Sequence, residues 1–335
     1  MIQVENLSKI FRVHQKEPGF KGSVKSLFKR KWIEKHALKN ASLSVSAGEI
    51  VGLVGANGAG KTTLVKALSG IIHPTSGHAR VLGYSPWERH DAFRRQIALI
   101  MGQKAQLWWD LPAADCFLLL REIYQIPKPQ FEASLNHLAD ALQVRGQLNI
   151  QIRKLSLGER MKVELMAALL HNPKVVFLDE PTIGLDLTAQ RAIRDFLLEY
   201  REAQQPAMLL TSHYMEDIEK LCKRLIILRE GEIVYDGPIA GISRDFAHHK
   251  VLTFRLDPAK FPLDFPINLA HYPSLLGEAL EIEARTTELL KIKVSRDRIS
   301  EAASALLKHL PVLDLTIEEP DIGSVIENIM RGRSK

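Results

Sequence analysis

Short apolar runs bounded by turn residues recur along the first 237 residues of the chain. The clearest are 50–54, 96–101, 175–178 and 208–210. Apolar runs of this length that alternate with helical patterns predict strands buried on both faces of a largely parallel sheet. Ligands of such sheets bind at the carboxyl ends of the strands. The polar residues that directly follow these runs are therefore predicted to lie along one edge.

Other apolar patterns predict the elements around this sheet. Alternating positions predict strands near 2–7, 10–13, 43–45 and 79–81. Helical spacing predicts helices over about 62–69, between 113 and 144, and over 159–170. Pro127 and Pro129 divide the second of these regions into two helices, because proline interrupts a helical run.

The pattern changes near Pro238. Strand patterns follow over 251–256, 279–284, 289–294 and 312–317, with a helical pattern over 299–310. Residues 1–237 are therefore predicted to form one domain, and residues 238–335 a separate small α+β domain that carries no chemical motif.

A glycine-rich loop follows the apolar run 50–54. It reads GANGAGKTT and matches the pattern G-x-x-x-x-G-K-[ST]. In that pattern backbone amides cradle phosphates, the lysine reaches the β- and γ-phosphates, and the hydroxyl ligates Mg²⁺. A plain glycine-rich turn is the alternative, but the strand before the loop and the helical pattern after it supply the setting that the motif requires. The predicted nucleotide-binding residues of the loop are Gly55, Asn57, Gly58, Ala59, Gly60, Lys61, Thr62 and Thr63.

An acidic pair, Asp179 and Glu180, ends the apolar run 175–178. Asp179 has the position of the carboxylate that holds Mg²⁺ together with Thr62 in a phosphate-loop NTPase. Glu180 is then placed to polarise the water that attacks the γ-phosphate, while Lys61 and the loop amides stabilise the transition state. The alternative for the pair is a turn at the end of a strand.

Six motifs, in this order along the chain, resemble those of the ABC ATPase family. They are Walker A at Gly55–Thr62, the Q-loop glutamine Gln103, the signature Leu155–Glu159, Walker B at Val175–Pro181, the D-loop Gly184–Asp186 and the switch histidine His213. The resemblance covers about residues 1–237. It implies an α/β P-loop NTPase fold with a parallel-sheet core, an antiparallel β subdomain and a helical subdomain over about 104–170, followed by the small α+β domain.

The resemblance also implies an ATPase that works as a dimer with a second copy of itself. Two such domains associate head to tail, so that Ser156 and Gly158 of one copy face the ATP bound by the other. Asp186 of the D-loop is also expected to bind ATP. The usual signature LSGGQ reads LSLGE here, with Leu157 in place of a glycine and Glu159 in place of a glutamine. Activity is still expected, because the amides at the start of the following helix remain.

Further roles follow from the same resemblance. Phe11 is expected to stack on adenine, with a strand-core phenylalanine as the alternative. Gln103 is expected to join Thr62 and Asp179 around Mg²⁺ and to couple the site to a membrane partner. His213 is expected to contact the γ-phosphate.

The sequence favours separate membrane permeases as partners. No stretch approaches the roughly 18 uninterrupted apolar residues of a membrane span, and the N-terminus lacks the layout of a signal peptide. The chain is therefore expected to lie on the cytoplasmic face of the cell membrane as a peripheral subunit. Trp108 and Trp109, just after Gln103, fit either an exposed patch for a partner helix or buried packing.

The overall pattern resembles the ATPase subunits of bacterial exporters that work with two small multi-span permeases. Some relatives of this kind are linked to the efflux of cationic toxic compounds such as viologens. A single ATPase domain argues against the soluble translation factors and repair proteins, which carry two such domains or a long coiled-coil insertion. A soluble ATP-driven switch acting on another macromolecule is the alternative.

The net charge of +6 is concentrated in one segment. Residues 12–39 hold nine Lys/Arg and two acids, so the rest of the chain has 36 basic and 37 acidic residues and a net charge of 36 − 37 = −1. This basic insertion is predicted either to lie on an anionic membrane surface as an amphipathic helix or to be a solvated loop. Nucleic acid is not an expected partner, because no base-reading element accompanies the charge.

Cys116 and Cys222 are predicted to be packing residues in a reducing compartment.

Overall fold

The structure is a computed structural model that describes residues 1–14, 32–102, 104–246, 249–260, 280–286 and 288–332. It divides into two compact units, residues 1–239 and residues 240–335. Within the described residues, no helix combines the length and apolar character needed to cross a membrane.

The elements follow the order of the chain. The strands are β1 Ile2–His14, β2 Trp32–Val45, β3 Ile50–Gly55, β4 Ser76–Val81, β5 Ile97–Met101, β6 Val175–Asp179, β7 Ala207–Thr211, β8 Arg224–Arg229, β9 Glu232–Pro238, β10 His249–Leu256, β11 Leu280–Arg285, β12 Leu289–Ser295 and β13 Val312–Glu318. The helices are α1 Lys61–Leu68, α2 Asp91–Arg94, α3 Ala113–Tyr124, α4 Lys128–Ala141, α5 Leu157–Leu169, α6 Leu187–Gln204, α7 Met215–Leu221, α8 Ile239–Phe246, α9 Ile299–His309 and α10 Ile322–Arg331.

The first unit is built on a sheet with the strand order β5-β6-β7-β3-β8-β9. Every neighbouring pair from β5 to β8 is parallel, and β9 pairs antiparallel with β8. All residues of β3 and β7 are buried, as expected for strands covered on both faces. The predicted α/β fold is confirmed, and the carboxyl ends of β3, β5, β6 and β7 lie along one edge.

A second sheet, in the antiparallel order β2-β1-β4, packs on the first. Its residues Ile2, Leu7 and Leu38 share one hydrophobic core with Leu64 and Leu68 of α1. All five side chains are completely buried, and each contributes roughly 2 kcal/mol through removal of apolar surface from water. This core fixes α1, and with it the glycine-rich loop, against the end of β3.

The β1–β2 pair corrects the amphipathic-helix interpretation of the basic insertion at its C-terminal end, whereas the strand predicted over 10–13 is confirmed. Arg12 pairs with Glu34, and the ladder continues to His14 opposite Trp32. The described parts of 12–39 are therefore strand. Residues 15–31 lie outside the described residues.

Helices α3, α4 and α5 form the predicted helical region. Their buried residues include Phe117, Phe131 and Leu138, which carry the apolar stripes seen in the sequence. Cys116 and Cys222 are free and buried, so the prediction that they are packing residues is confirmed.

The second unit contains an antiparallel sheet with the order β11-β12-β10-β13. One face packs under α9, where Phe254, Ile292 and Leu306 are at most 1 % exposed. This matches the α+β arrangement predicted for the end of the chain.

Candidate functional site

The glycine-rich loop joins β3 to α1 through a backbone that needs glycine. Gly60 has φ 112°, and a Cβ placed there would lie 2.4 Å from the carbonyl oxygen of Ala37. Helix α1 begins at the next residue, Lys61, and no side chain caps its first turn. Uncapped N–H groups at a helix start bind anions, since the helix dipole favours negative charge there.

Lys61 crosses the mouth of this loop. Its Nζ donates hydrogen bonds to the carbonyl oxygens of Gly55 and Ala56, at 2.6 and 3.4 Å. Burial lowers the pKa of Lys61, whereas the charges of Glu180 and Asp179 raise it. The ammonium group is thus held at the loop by weak carbonyl partners that an anionic phosphate can replace.

Thr62 and Asp179 bring two oxygen atoms that can ligate a metal ion together next to the loop. Thr62 Oγ1 lies 3.4 Å from Asp179 Oδ1, and Thr211 Oγ1 donates to the same Oδ1 at 2.7 Å. Hydroxyl and carboxylate oxygens are the ligands that Mg²⁺ prefers, with substrate phosphates completing its shell. Thr62 and Asp179 therefore fit a Mg²⁺ site at the phosphate-binding end of the loop.

Glu180 and His213 contact each other at the end of β6 and β7. Glu180 Oε1 lies 2.8 Å from His213 Nε2, with the side chains 13 % and 41 % exposed. Glu180 has φ 57°, and its N–H donates to the carbonyl oxygen of Thr211 at 3.0 Å. A Cβ at Gly102 would lie 2.0 Å from the Glu180 carbonyl oxygen, so only glycine fits where β5 ends.

Of these groups, Lys61, Thr62 and Glu180 line a cleft of about 410 Å³. Phe11 and Lys35, which are cross-strand partners in β1 and β2, line this cleft together with Glu180. The lining residues are Phe11, Arg12, Val13, Lys35, Ala37, Gly58, Ala59, Gly60, Lys61, Thr62, Thr63 and Glu180. Phe11 therefore lines the cleft and does not belong to the buried core.

The signature residues lie outside this cleft. Ser156 is the N-cap of α5 in a capping box: its Oγ accepts from Glu159 N at 3.3 Å, and Glu159 Oε2 accepts from Ser156 N at 2.9 Å. Hydrogen bonds from Ser156 and from Gln147 lower the pKa of Glu159. Gly158 lies in the same first turn, and its neighbour Leu157 is 40 % exposed. A carboxylate at position 159 thus strengthens the helix start.

Asp186 and Gln103 are the remaining predicted site residues, and the structure describes only Asp186. The carboxylate of Asp186 caps α6 by accepting a hydrogen bond from Ala189 N at 2.8 Å, and Asp186 does not line the cleft. Gln103 lies outside the described residues, although its neighbours Gly102 and Lys104 are described.

Sequence reasoning missed two buried polar clusters near the site. Arg194, Asp217, Thr182 and Ser212 form one, and all four are buried. In the other, Gln106 N donates to both oxygens of Glu164, and burial raises the pKa of Glu164 to about 7. No sequence signal identified them, because each cluster joins segments that meet only in the folded chain.

The chain is similar to known protein families, proteins and solved structures. The sequence profile of the ABC transporter family matches residues 38–183, and that of the EvrA-like ABC transporter C-terminal domain matches residues 248–318. An uncharacterised ABC transporter ATP-binding protein of Methanocaldococcus jannaschii, MJ1023, is 34 % identical over 222 residues, which cover 65 % of this chain and 78 % of the relative. The chain belongs to the ABC transporter ATP-binding family. As a member it is an ATPase, with ATP as substrate and Mg²⁺ as the metal ion.

A further relative and two solved structures are similar to this ABC ATPase. The ABC transporter ATP-binding protein NatA of Bacillus subtilis is 29 % identical over 206 residues, or 62 % of this chain and 83 % of NatA. The solved structure of an ATP-binding subunit of an ABC transporter is 26 % identical with a TM-score of 0.61, covering 73 % of this chain and 93 % of that one. A dimeric ATP-binding cassette, MJ0796, bound to ADP and Pi shares the fold at 22 % identity and a TM-score of 0.59, covering 71 % of this chain and 98 % of that one.

Proposed function

We propose that this chain is the energy-coupling subunit of an exporter and that it drives separate membrane permeases by binding and hydrolysing ATP as a dimer. One observation carries the proposal. Lys61, Thr62 and Glu180 line one cleft beside the uncapped start of α1, and Asp179 and His213 contact Thr62 and Glu180.

Within one copy, the residues divide the work on ATP. The adenine ring stacks on Phe11, and the phosphates lie on the N–H groups of the loop residues Gly55, Asn57, Gly58, Ala59, Gly60, Lys61, Thr62 and Thr63. Lys61 transfers its hydrogen bonds from the loop carbonyls to the β- and γ-phosphates. When bound to Thr62, Asp179 and Gln103, Mg²⁺ supplies positive charge that offsets the phosphates.

Glu180 is the proposed general base. Its carboxylate accepts the proton of the attacking water. His213, whose Nε2 lies 2.8 Å from Glu180 Oε1, orients that carboxylate and contacts the γ-phosphate when ATP is bound. The burial of Glu180 strengthens these interactions, since water competes less in a desolvated site.

The second copy completes the site. Ser156, Gly158 and Asp186 do not line the cleft of their own chain, although they lie at the starts of α5 and α6. In a head-to-tail dimer, the exposed start of α5 would face the γ-phosphate of the partner's ATP. Hydrolysis then requires both copies.

Five exposed apolar residues on α3 and in the segment just before it fit the permeases. Trp108 and Trp109 are 44 % and 50 % exposed, and Leu118, Leu119 and Ile123 of α3 are 43–59 % exposed. Exposed apolar clusters of this kind mark protein interaction surfaces. We name these five residues the α3 patch and assign it to membrane-embedded permease subunits at the cytoplasmic face of the inner membrane.

The test is affinity purification of tagged Glu180→Gln from detergent-solubilised membranes, with mass spectrometry of the bound proteins. This variant should retain ATP and stop turnover, which holds the dimer closed. Two multi-span permeases in near-equal amounts support the exporter assembly. Recovery of only soluble or ribosomal proteins contradicts it and favours an ATP-driven switch.

A matched pair of variants tests the α3 patch. Trp108→Ser with Trp109→Ser should remove the permeases from the purification. Leu313→Ser, at a position 64 % exposed in the second unit, changes an apolar surface residue outside the patch and should leave recovery unchanged. Equal recovery with both variants would contradict the assignment.

The finer proposals concern the substrate and the membrane surface. The sequence resemblance supports efflux of cationic toxic compounds, so a deletion strain should become more sensitive to methyl viologen, and Glu180→Gln should fail to restore resistance.

The basic segment 12–39 is proposed to contact anionic lipid. Neutralising Lys25, Lys29, Arg30 and Lys31 should reduce partition to vesicles containing phosphatidylglycerol, and unchanged partition would contradict this contact.

A further inference from the structure

A buried carboxylate lies behind the catalytic edge of the cleft. Asp217 of α7 is 0 % exposed. Its Oδ2 accepts hydrogen bonds from Thr182 Oγ1 and, at 2.7 Å, from Ser212 Oγ. Its Oδ1 accepts from Arg194 Nη1 of α6 at 2.9 Å. Three separate segments therefore meet at this one side chain.

Two of those segments carry the proposed catalytic pair. Thr182 follows Glu180 by two residues, and Ser212 directly precedes His213. Ser212 Oγ also accepts a hydrogen bond from Tyr214 N at 3.0 Å, which fixes the chain on the other side of the histidine. The positions of both catalytic side chains thus depend on hydroxyls that bind a common acceptor.

We propose that Asp217 is a positioning residue for ATP hydrolysis, which sets the Glu180–His213 distance by binding the hydroxyls of Thr182 and Ser212. The inference rests on the proposed roles of Glu180 and His213. A misplacement of about 1 Å costs on the order of 100-fold in rate when reacting groups must be aligned.

Arg194 supplies the charge balance that allows a carboxylate at this depth. Its side chain is 3 % exposed and contacts Asp217 on one side and Glu216 on the other, at 2.9 and 3.1 Å. Removing one partner of such a buried pair leaves an uncompensated charge and destabilises the fold. The test therefore leaves Asp217 and Arg194 in place and changes the hydroxyls.

Thr182→Val and Ser212→Ala each delete one hydrogen bond to Asp217. Each should lower kcat per ATP-binding site about tenfold or more, with KM for ATP changed by less than about threefold, because the phosphate loop is untouched. Thr182→Ser keeps the hydroxyl and should restore kcat. Titration with a fluorescent ATP analogue counts the folded sites, so a loss of folded protein does not count as a loss of kcat.

Glu216→Gln is the matched control. Glu216 also contacts Arg194, but its side chain is 47 % exposed, and it has no hydrogen bond to Thr182 or Ser212 among the contacts of the described residues. Its kcat should stay within about twofold of the wild type, as for other changes to exposed ion pairs.

Three outcomes overturn the inference. If Thr182→Val and Ser212→Ala both keep wild-type kcat, the hydroxyls have no positioning role. If Thr182→Ser is as slow as Thr182→Val, the hydroxyl of Thr182 has none either. Glu180→Gln is assayed beside them. If Glu180→Gln hydrolyses ATP like the wild type, the proposed role of Glu180 fails, and the inference fails with it. If only Glu180→Gln is inactive, the proposed function stands and the inference alone is wrong.

Discussion

Glu164 offers a quantitative test of the buried polar contacts. It lies within α5, is 4 % exposed, and accepts hydrogen bonds from Gln106 N at 3.0 and 3.2 Å. Burial raises the pKa of Glu164 from 4.5 to about 7, although the Gln106 N–H and the charge of Arg160 act in the opposite direction. The perturbation is Glu164→Gln, which keeps an acceptor for Gln106 and removes the titrating group.

The direction in which the free energy of unfolding changes with pH follows from proton binding to Glu164. Between pH 4.5 and about 7 the folded state holds a proton on Glu164 that the unfolded state has released. The free energy of unfolding therefore falls as pH rises through this window. Because each pH unit corresponds to about 1.4 kcal/mol, the stability lost by pH 8 is on the order of 3 kcal/mol.

Urea unfolding at pH 5 and pH 8, followed by tryptophan fluorescence, measures the contribution of Glu164 to the free energy of unfolding at each pH. The variant should match the wild type at pH 5 and exceed it by on the order of 3 kcal/mol at pH 8. His171, whose pKa burial lowers to about 4, adds an opposite trend, but both proteins share it and it cancels in the difference. Glu202→Gln, at a side chain 72 % exposed, is the control and should show no such difference. A Glu164→Gln difference that is constant from pH 5 to pH 8 would refute the reasoning.

Three further predictions concern single side chains. Thr253 Oγ1 is buried without a hydrogen-bond partner in the described part of the chain, so Thr253→Val should stabilise the second unit by about 1 kcal/mol in urea unfolding. Glu159→Ala removes the capping box and should cost about 1 kcal/mol, whereas Glu159→Gln should retain most of that stability; thermal unfolding distinguishes the two. Phe11→Ala should weaken binding of a fluorescent ATP analogue about tenfold, and Phe11→Trp should preserve it, because the aromatic surface for stacking is retained.

The parallel sheet and the phosphate loop could be predicted closely from the sequence. The run 175–178 corresponds to β6 Val175–Asp179, and 208–210 corresponds to β7 Ala207–Thr211. Strands buried on both faces require continuous apolar runs, so the pattern is local and strong. The sequence signal of the phosphate loop is also local, because its glycines are required by the backbone conformation of a few neighbouring residues.

Helices α6 and α7 were harder to predict. Helix α6 has a buried stripe that includes Ile193, Leu197 and Tyr200, but a polar residue, Arg194, interrupts the pattern within that face. Asp186 was interpreted as part of a nucleotide-contacting loop, and in the structure its carboxylate also caps α6. Because Asp186 was assigned to the D-loop motif, its second role as the N-cap of α6 was not predicted.

The C-terminal end of the basic insertion was interpreted wrongly because its apolar pattern is short. Trp32 and Ile33 fit an apolar helical spacing within the segment, yet they pair with His14 and Val13 in the β1–β2 ladder. Helical and strand periods are difficult to separate over so few positions. The buried contacts of Glu164 and Asp217 could not be predicted at all, since each joins segments that meet only in the folded chain.

Helix α5 connects two surfaces that the proposed assembly uses. Ser156 stands at its start, the guanidinium of Arg160 lies 5.6 Å from the ring of Trp109, and Glu164 holds Gln106. The helix has 13 residues and spans about 20 Å at 1.5 Å per residue, and it contains no proline or internal glycine beyond its first turn. A helix of this kind moves as a rigid body. In the proposed dimer, a shift of Ser156 toward the partner's ATP is therefore transmitted directly to the segment that carries Trp108 and Trp109, and no additional hinge is required for the nucleotide to act on the α3 patch.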